Sequence, residues 1–283
     1  MTSNQSRTLV ILVMGSTGAG KSTFINAVSG KTNATVGHDM QSCTVHIQEV
    51  QITDPEITGI VAIPNPSLLI IDTPGFDDTK KDDVVILTRI AKWLKKSHGI
   101  HSLVGVIYLH DISLDRFTGT AKRNLDMFQK LCGKKAFKNV AIGMTKGSRV
   151  NDSGALQRRT ESLKRTQWNH MIAEGVTVFS IPEKDSREDS RKVVKHLLSN
   201  YSQSTVLQIQ DELIKKKLLV PNTEAGLELS ATIKRLIDAH KQYTQFSTAS
   251  NLEEAKREIE RLSKQLKELK IPLSKRIMRF FGF

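Results

Sequence analysis

Short apolar runs alternate along this chain with longer stretches in which apolar residues return every three or four positions. The runs at 8–14, 46–52, 68–72, 103–109, 140–144 and 176–181 predict strands, and the stretches 21–30, 82–97, 118–132, 154–173 and 190–201 predict helices. Within 118–132, Ala121, Leu125, Phe128 and then Leu131 with Cys132 fall on one helical face. Strands alternating with helices of this length predict an α/β fold with a mostly parallel, six-stranded sheet covered on both faces. Only the second and third strands, joined through 54–66, predict an antiparallel pair. Beyond Tyr201 no strand pattern recurs. Residues 205–220, 223–246 and 251–270 predict helices, the first two parted by Pro221-Asn222. This divides the chain into a sheet domain over 1–204 and a helical extension over 205–283. On 251–270 the apolar spacing suits either a short coiled coil or a helix packed on its own domain.

The first strand runs directly into Gly15-Ser16-Thr17-Gly18-Ala19-Gly20-Lys21-Ser22-Thr23 and then a helix. Strand, glycine-rich turn and helix are the setting in which G-x-x-x-x-G-K-S forms a phosphate cradle. Glycines let the main chain turn tightly and aim N–H groups at a polyphosphate, and the helix start adds its positive end. Lys21 is expected on the terminal phosphates and the Ser22 hydroxyl on Mg²⁺. The expected fold class is therefore a P-loop NTPase of the Ras-like type.

A second signal lies about fifty residues on, where Asp72-Thr73-Pro74-Gly75 closes the third strand. Asp72 is placed to hold Mg²⁺ through water, and the Gly75 N–H to meet a terminal phosphate. Between the two motifs, Thr44 is a candidate switch threonine completing the metal shell; its alternative is a threonine that merely opens a strand.

Composition changes little, but charge adds a question. Apolar residues make up 39% of the 283 and charged ones 25%, as in an ordinary globular protein. The polar start and the lack of a long apolar run predict neither a secretory signal nor a membrane-spanning helix. Cys43 and Cys132 match neither a disulfide framework nor a metal spacing, so a reducing, cytoplasmic setting is expected. The net charge of +13 exceeds what one nucleotide would balance. It fits a basic solvated surface, nucleic acid or an anionic membrane, and no specific nucleic-acid motif accompanies it. If 273–283 is helical, Leu273, Ile277, Phe280 and Phe281 share one side, with Lys275, Arg276 and Arg279 opposite. From Leu273 to Phe283 the tail thus suits either an anionic membrane surface or a groove on the protein.

The residues Gly15–Ser22, Thr44, Asp72–Gly75 and Ile107-Tyr108-Leu109-His110 with Arg116 together resemble the septin-related GTPases. That group includes the immune-associated nucleotide-binding proteins and the chloroplast-import receptor GTPases. Ile71 through Asp78, and Asp115-Arg116 through Gly133, are most similar to its fungal single-domain members. The resemblance covers about 8–201 and implies GTP or GDP with Mg²⁺, and a homodimer formed across the nucleotide face. Two departures stand out. The guanine-reading Asn/Thr-Lys-x-Asp motif here reads Thr145-Lys146-Gly147-Ser148, which lacks the carboxylate that rejects adenine. Main-chain groups near Ser180-Ile181-Pro182 are the expected substitute. Phe76 stands where Ras carries its water-orienting Gln, so slow hydrolysis is expected. Replacements for that Gln are His38, Asp77, Asp78 or a partner's group. Related GTPases use an arginine near Arg116 across their dimer; the alternative pairs Arg116 locally with Asp111 or Asp115. His110, Trp93 and Trp168 are expected to be structural. The expected activity is a nucleotide-dependent switch or scaffold. A protein that assembles with little hydrolysis, an ATP- or ADP-binding P-loop protein, and a metabolic ATPase or kinase are the alternatives.

Overall fold

The computed structural model describes residues 8–30, 47–63, 66–76, 82–182, 186–244 and 249–270. From the first strand onward the chain forms β1 (Thr8–Gly15), α1 (Lys21–Ser29), β2 (Gln48–Ile52), α2 (Pro55–Thr58), β3 (Ser67–Asp72) and α3 (Asp83–Ser97). There follow β4 (His101–Asp111), α4 (Gly119–Cys132), β5 (Val140–Thr145), α5 (Ser153–Arg165), α6 (Asn169–Ala173), β6 (Thr177–Ile181) and α7 (Arg187–Ser199). Three further helices close the described chain: α8 (Gln208–Ile214), α9 (Glu224–Thr244) and α10 (Ala249–Lys270).

The sheet has six strands in the order β2-β3-β1-β4-β5-β6. All neighbours are parallel except β2 and β3, the pair expected to be antiparallel. β1 shows why. Its side chains alternate between faces, and both faces are buried. Leu9, Ile11 and Val13 pack with Phe24, Ile25, Val194 and Leu197 of α1 and α7. Val10, Leu12 and Met14 pack with Leu87, Ile90, Leu125 and Phe128 of α3 and α4. Each such side chain stabilises the fold by about 1.5–3 kcal/mol, and only a strand covered twice is apolar throughout.

Caps set the helix starts. Asp82 Oδ1 accepts from the Val84 N–H at 2.8 Å, and Thr118 Oγ1 from the Ala121 N–H at 3.1 Å. α8, α9 and α10 add a layer over α3 and α4, where Leu207, Ile209, Leu229, Ile233, Leu262 and Leu269 join the same core cluster. α10 lies along α9 and touches α3, so its apolar face is taken up within this chain.

Two expected helices are corrected. The stretch 154–173 is two helices, because the Trp168 N–H donates to Leu163 O at 2.9 Å and the fully buried Trp168 ring turns the chain inward. Residues 205–207 are not helical, because Thr205 is bound to β4: its N–H donates to Leu103 O at 2.7 Å and its hydroxyl to Val104 O at 3.2 Å. α8 therefore starts only at Gln208, and it already ends at Ile214, so 215–219 are not helical either. The tail from Leu273 to Phe283 lies outside the described residues. No described helix is long and apolar enough to cross a membrane.

Candidate functional site

The glycine-rich turn sits where β1 ends, at the carboxyl edge of the sheet. Gly15 has φ +144°, and a Cβ there would lie 2.4 Å from Leu109 O of β4, so only glycine fits. Gly18 and Gly20 turn through the left-handed region at φ +80° and +89°. Ser16 O accepts from the Ala19 N–H at 3.1 Å, which closes the turn. Ser16 is half-buried, Thr17 and Gly18 are exposed, and Ala19 is buried, so the rim of the turn faces outward. Lys21 is buried and folds back into the loop, its Nζ donating to Gly15 O at 3.0 Å and Ser16 O at 2.9 Å.

The start of α1 has no side-chain cap on Gly20 and no acid in its first turn. The first-turn N–H groups of α1 lie at the glycine-rich turn, as at the start of any helix, and the helix itself brings no acid of its own to them. An anion at this spot meets both these donors and the positive end of the helix.

Asp72 ends β3 fully buried, and its Oδ2 accepts from the Ser22 hydroxyl at 2.7 Å. Two hard oxygen donors in contact, one from a helix start and one from a strand end, form a donor set that suits Mg²⁺. Thr73 fastens the next residue, its hydroxyl donating to Val13 O at 2.8 Å. Gly75 then passes over the loop, and a Cβ there would lie 2.5 Å from Thr17 N. This close approach brings its main chain to the phosphate turn. Phe76 is 6% exposed and packs in the α3–α4 core, so its ring points away from solvent. Thr44, His38, Asp77 and Asp78 lie outside the described residues.

The second edge of the site is built from the ends of β4, β5 and β6. Thr145 Oγ1 makes contacts of 2.9 Å with Ala19 O and 3.2 Å with His110 O, tying β5 to the phosphate turn. Lys146 takes the left-handed conformation at φ +61°, which a residue with a Cβ adopts rarely. Its Nζ donates to Asp111 Oδ2 at 2.5 Å, while Asp111 Oδ1 accepts from the Ser113 N–H at 3.0 Å and its hydroxyl at 2.6 Å. Burial pushes the Asp111 carboxyl up, but the bonds from Lys146 and Ser113 outweigh it and hold the group below its ordinary range.

Ser148 is exposed and its N–H donates to Pro182 O at 3.0 Å, which joins this loop to the end of β6. Ser180, exposed on β6, pairs with Met144 of β5. The carboxylate next along, Asp152, caps α5 through the Gly154 N–H at 2.8 Å and pairs with Arg158. It does not substitute for the one missing at position 148.

Arg116 is exposed on the loop between β4 and α4. The local pairing considered for it does not occur: Asp111 is held by Lys146, and Asp115 by Arg159. Among the described residues Arg116 makes no ion pair. The Asp111–Lys146 contact is the feature that the sequence reading missed. Its one visible signal was a carboxylate at the end of a strand neighbouring the Thr-Lys pair.

His110 lies beneath this edge with its ring between Phe117 and Trp168. Burial drives its pKa down to about 4, against a smaller opposing pull from Asp111, so the ring is neutral and structural. Trp168 is core, as expected. Trp93 is only partly buried, and its indole N–H reaches Glu49 Oε1 at 2.8 Å.

The model of the AIG1 family matches residues 9–203. Among solved structures, a dimerisation-deficient arginine-to-alanine variant of Toc33 from Arabidopsis thaliana is similar at 15% identity, over 71% of this chain and 88% of that one, with a TM-score of 0.55. Toc33 in complex with GDP and Mg²⁺ is similar at 16% identity, over 71% and 88%, with a TM-score of 0.55. A third similar structure concerns the chloroplast translocon components atToc33 and psToc159, for whose GTPase activity dimerisation is important. It shares 15% identity over 71% and 87%, with a TM-score of 0.50. At these identities the likeness shows the fold. Among curated protein sequences no significant match to the chain is found.

Proposed function

Because the chain belongs to the AIG1 family, we propose that it is a guanine-nucleotide-binding P-loop protein that acts as a switch or scaffold in the cytoplasm. The observation that carries this reading is the linked geometry of Lys21, Ser22, Asp72 and Gly75 around one glycine-rich turn. Lys21 would exchange its two carbonyl partners for phosphate oxygens, a charge-assisted and therefore stronger contact. Main-chain N–H groups from Ser16 to Thr23 and from Gly75 would hold the phosphate chain. Ser22, Asp72 and Thr44 would hold Mg²⁺, which when bound neutralises phosphate charge. Thr145 positions the turn, and Lys146, set by Asp111, would flank the base with main-chain groups beside Ser180.

Hydrolysis is proposed to be slow, since the buried Phe76 can neither orient nor deprotonate water. Arg116 is proposed to reach a second copy's nucleotide in a homodimer, where such a residue is worth about 10³–10⁵ in rate. Its exposure and the prior engagement of Asp111 and Asp115 support this, as does the dimer dependence described for Toc33. His38 remains a candidate for orienting water. The kinship to septin-related, fungal single-domain members belongs to this proposal, as does the division at 204/205.

Ser148 and Phe76 favour a second reading, an assembly protein with little hydrolysis or with adenine nucleotide in the site. Parallel titrations with GDP and ADP, and single-turnover phosphate release at rising protein concentration, separate the two. The proposal expects tighter GDP binding and a specific activity that climbs with concentration and drops in Arg116→Ala. Tighter ADP binding, or flat activity indifferent to Arg116→Ala, contradicts it.

A further inference from the structure

Part of the positive charge gathers away from the candidate nucleotide site. The parallel strands begin at the opposite end of the sheet from the phosphate turn, and there the C-terminal ends of α3 and α4 meet the crossing helix α8. Three contacts fix α8 at this end. Gln210 Nε2 donates to Leu94 O of α3 at 3.2 Å, Asn139 Nδ2 to Thr205 Oγ1 at 2.7 Å, and a Cβ on Gly133 would lie 2.6 Å from Gln208 Cβ.

Lys95, Lys96, Lys135, Lys138, Lys216 and Lys217 are exposed around this junction. The Asp211 carboxyl is held below its ordinary range first by its bond to Lys215 and further by the charges of Lys216 and Lys135, which gathers lysines from two separate segments around one carboxylate. The acids of this end are already engaged: Asp211 by Lys215, Glu174 by Lys134 and Glu224 by Lys130. The buried Glu212 accepts from Gln208 and from the Glu224 N–H. None of the six lysines makes an ion pair among the described residues. Lys95 and Lys96 also suit the negative end of α3, but that role does not reach Lys216 or Lys217. Lys217 is moreover held at φ +54°, in the left-handed region, where it turns the chain out of α8.

Apolar side chains stand among these cations. Ile100 is 63% exposed in the turn before β4, Val206 39% beside its first residues, and Leu219 41% two residues after Lys217. An acidic protein or a nucleic acid would account for the lysines but leave these three without a purpose. Nucleic-acid readers also draw on arginine forks and stacked aromatic rings, and the six cations here are all lysine.

We propose that this strand-start end of the molecule is a docking surface for an anionic lipid bilayer. The lysine ammonium groups meet headgroup charge while Ile100, Val206 and Leu219 enter the interface. The phosphate turn then faces away from the lipid, leaving the nucleotide face free for a second copy.

Co-sedimentation of the full chain with phosphatidylcholine vesicles, with and without phosphatidylserine, tests this. Binding is expected only to the anionic vesicles, and the triple variant Lys135→Glu, Lys216→Glu, Lys217→Glu should partition about a hundredfold less. An equal reversal on α5, Arg158→Glu with Lys164→Glu and Arg165→Glu, should change partitioning by less than about threefold, because none of the three belongs to the lysines gathered around α8. Ile100→Ser with Leu219→Ser should lower it with charge unaltered. Circular dichroism checks each fold, and Lys→Gln at the same three positions replaces the Glu triple should that variant not fold. Equal losses in the two charge-reversed triples, binding indifferent to Lys135, Lys216 and Lys217, or patch-dependent capture of an oligonucleotide without vesicle binding would each overturn the proposal. GDP titration of the same variants reads the nucleotide site separately.

Discussion

The two edges of the candidate site are built on different principles. At the phosphate edge almost everything is main chain: Gly15 against Leu109 O, Gly75 against Thr17 N, and a start of α1 with no side-chain cap on Gly20. At the edge proposed for the base, side chains set the geometry, and the expected carboxylate is absent at Ser148. What remains there is an internal arrangement, Lys146 on Asp111 and the Ser148 N–H on Pro182 O. A cradle made of main chain tolerates few substitutions, because each glycine is held by geometry. An edge whose geometry rests on side chains tolerates substitution at an exposed position such as Ser148 and keeps its fold.

The sharpest way to break this contrast is Gly15→Ala. The added methyl meets a carbonyl oxygen at 2.4 Å in a backbone conformation foreign to alanine. A loss of about 3 kcal/mol or more is expected in urea unfolding. Gly18→Ala, with open space around it but φ +80°, should cost only about 1–2 kcal/mol. Equal costs would mean that contact with β4 does not set the phosphate edge.

Beneath the base edge, His110 gives the next largest effect. Its folded pKa of about 4 lies below the unfolded value of 6.5, so the fold favours the neutral ring. The resulting stability is complete above the unfolded value and is lost as pH falls through the folded one. It amounts to about 3 kcal/mol, of which about 2 kcal/mol is gone by roughly pH 5. Urea unfolding of wild type and His110→Leu across this range should show the difference, with the variant losing less stability on acidification.

Ser148→Asp comes third and sharpens the comparison directly. Restoring the carboxylate should strengthen GDP binding about tenfold and leave ADP unimproved, read by competition titration. Equal gains for both nucleotides would show that position 148 does not face the base. The smallest effect belongs to Asp111→Asn, which removes a half-buried ion pair and should cost about 1 kcal/mol at neutral pH. Since the Asp111 pKa is lowered in the fold, that contribution is present above the ordinary carboxylate range and vanishes as pH falls through the folded value. Wild type and variant should therefore converge in acid.

The same contrast explains how much could be read in advance. Periodicity along β1 and the position of Gly15–Ser22 after it are local properties, and the fold with its phosphate turn followed from them. Helix ends were less legible where a distant partner decided them. Thr205 is pulled into an extended path by β4, and Trp168 ends α5 because its ring fills the space beside His110. The competition for Asp115 could not be read from spacing, since the winner, Arg159, arrives from α5 after an intervening strand and helix. Lys146 on Asp111 is likewise a meeting of two strand ends. Through-space choices among several similar charges leave no periodic trace.

Whether the glycine-rich turn grips a nucleotide's phosphates is read by titration calorimetry with GDP and Mg²⁺ on wild type and Lys21→Ala. Saturable binding is expected for wild type and at least about a hundredfold weaker binding for the variant, whose turn loses the buried Lys21 ammonium group. Unchanged affinity in Lys21→Ala, or no heat with any purine nucleoside di- or triphosphate, would contradict that grip.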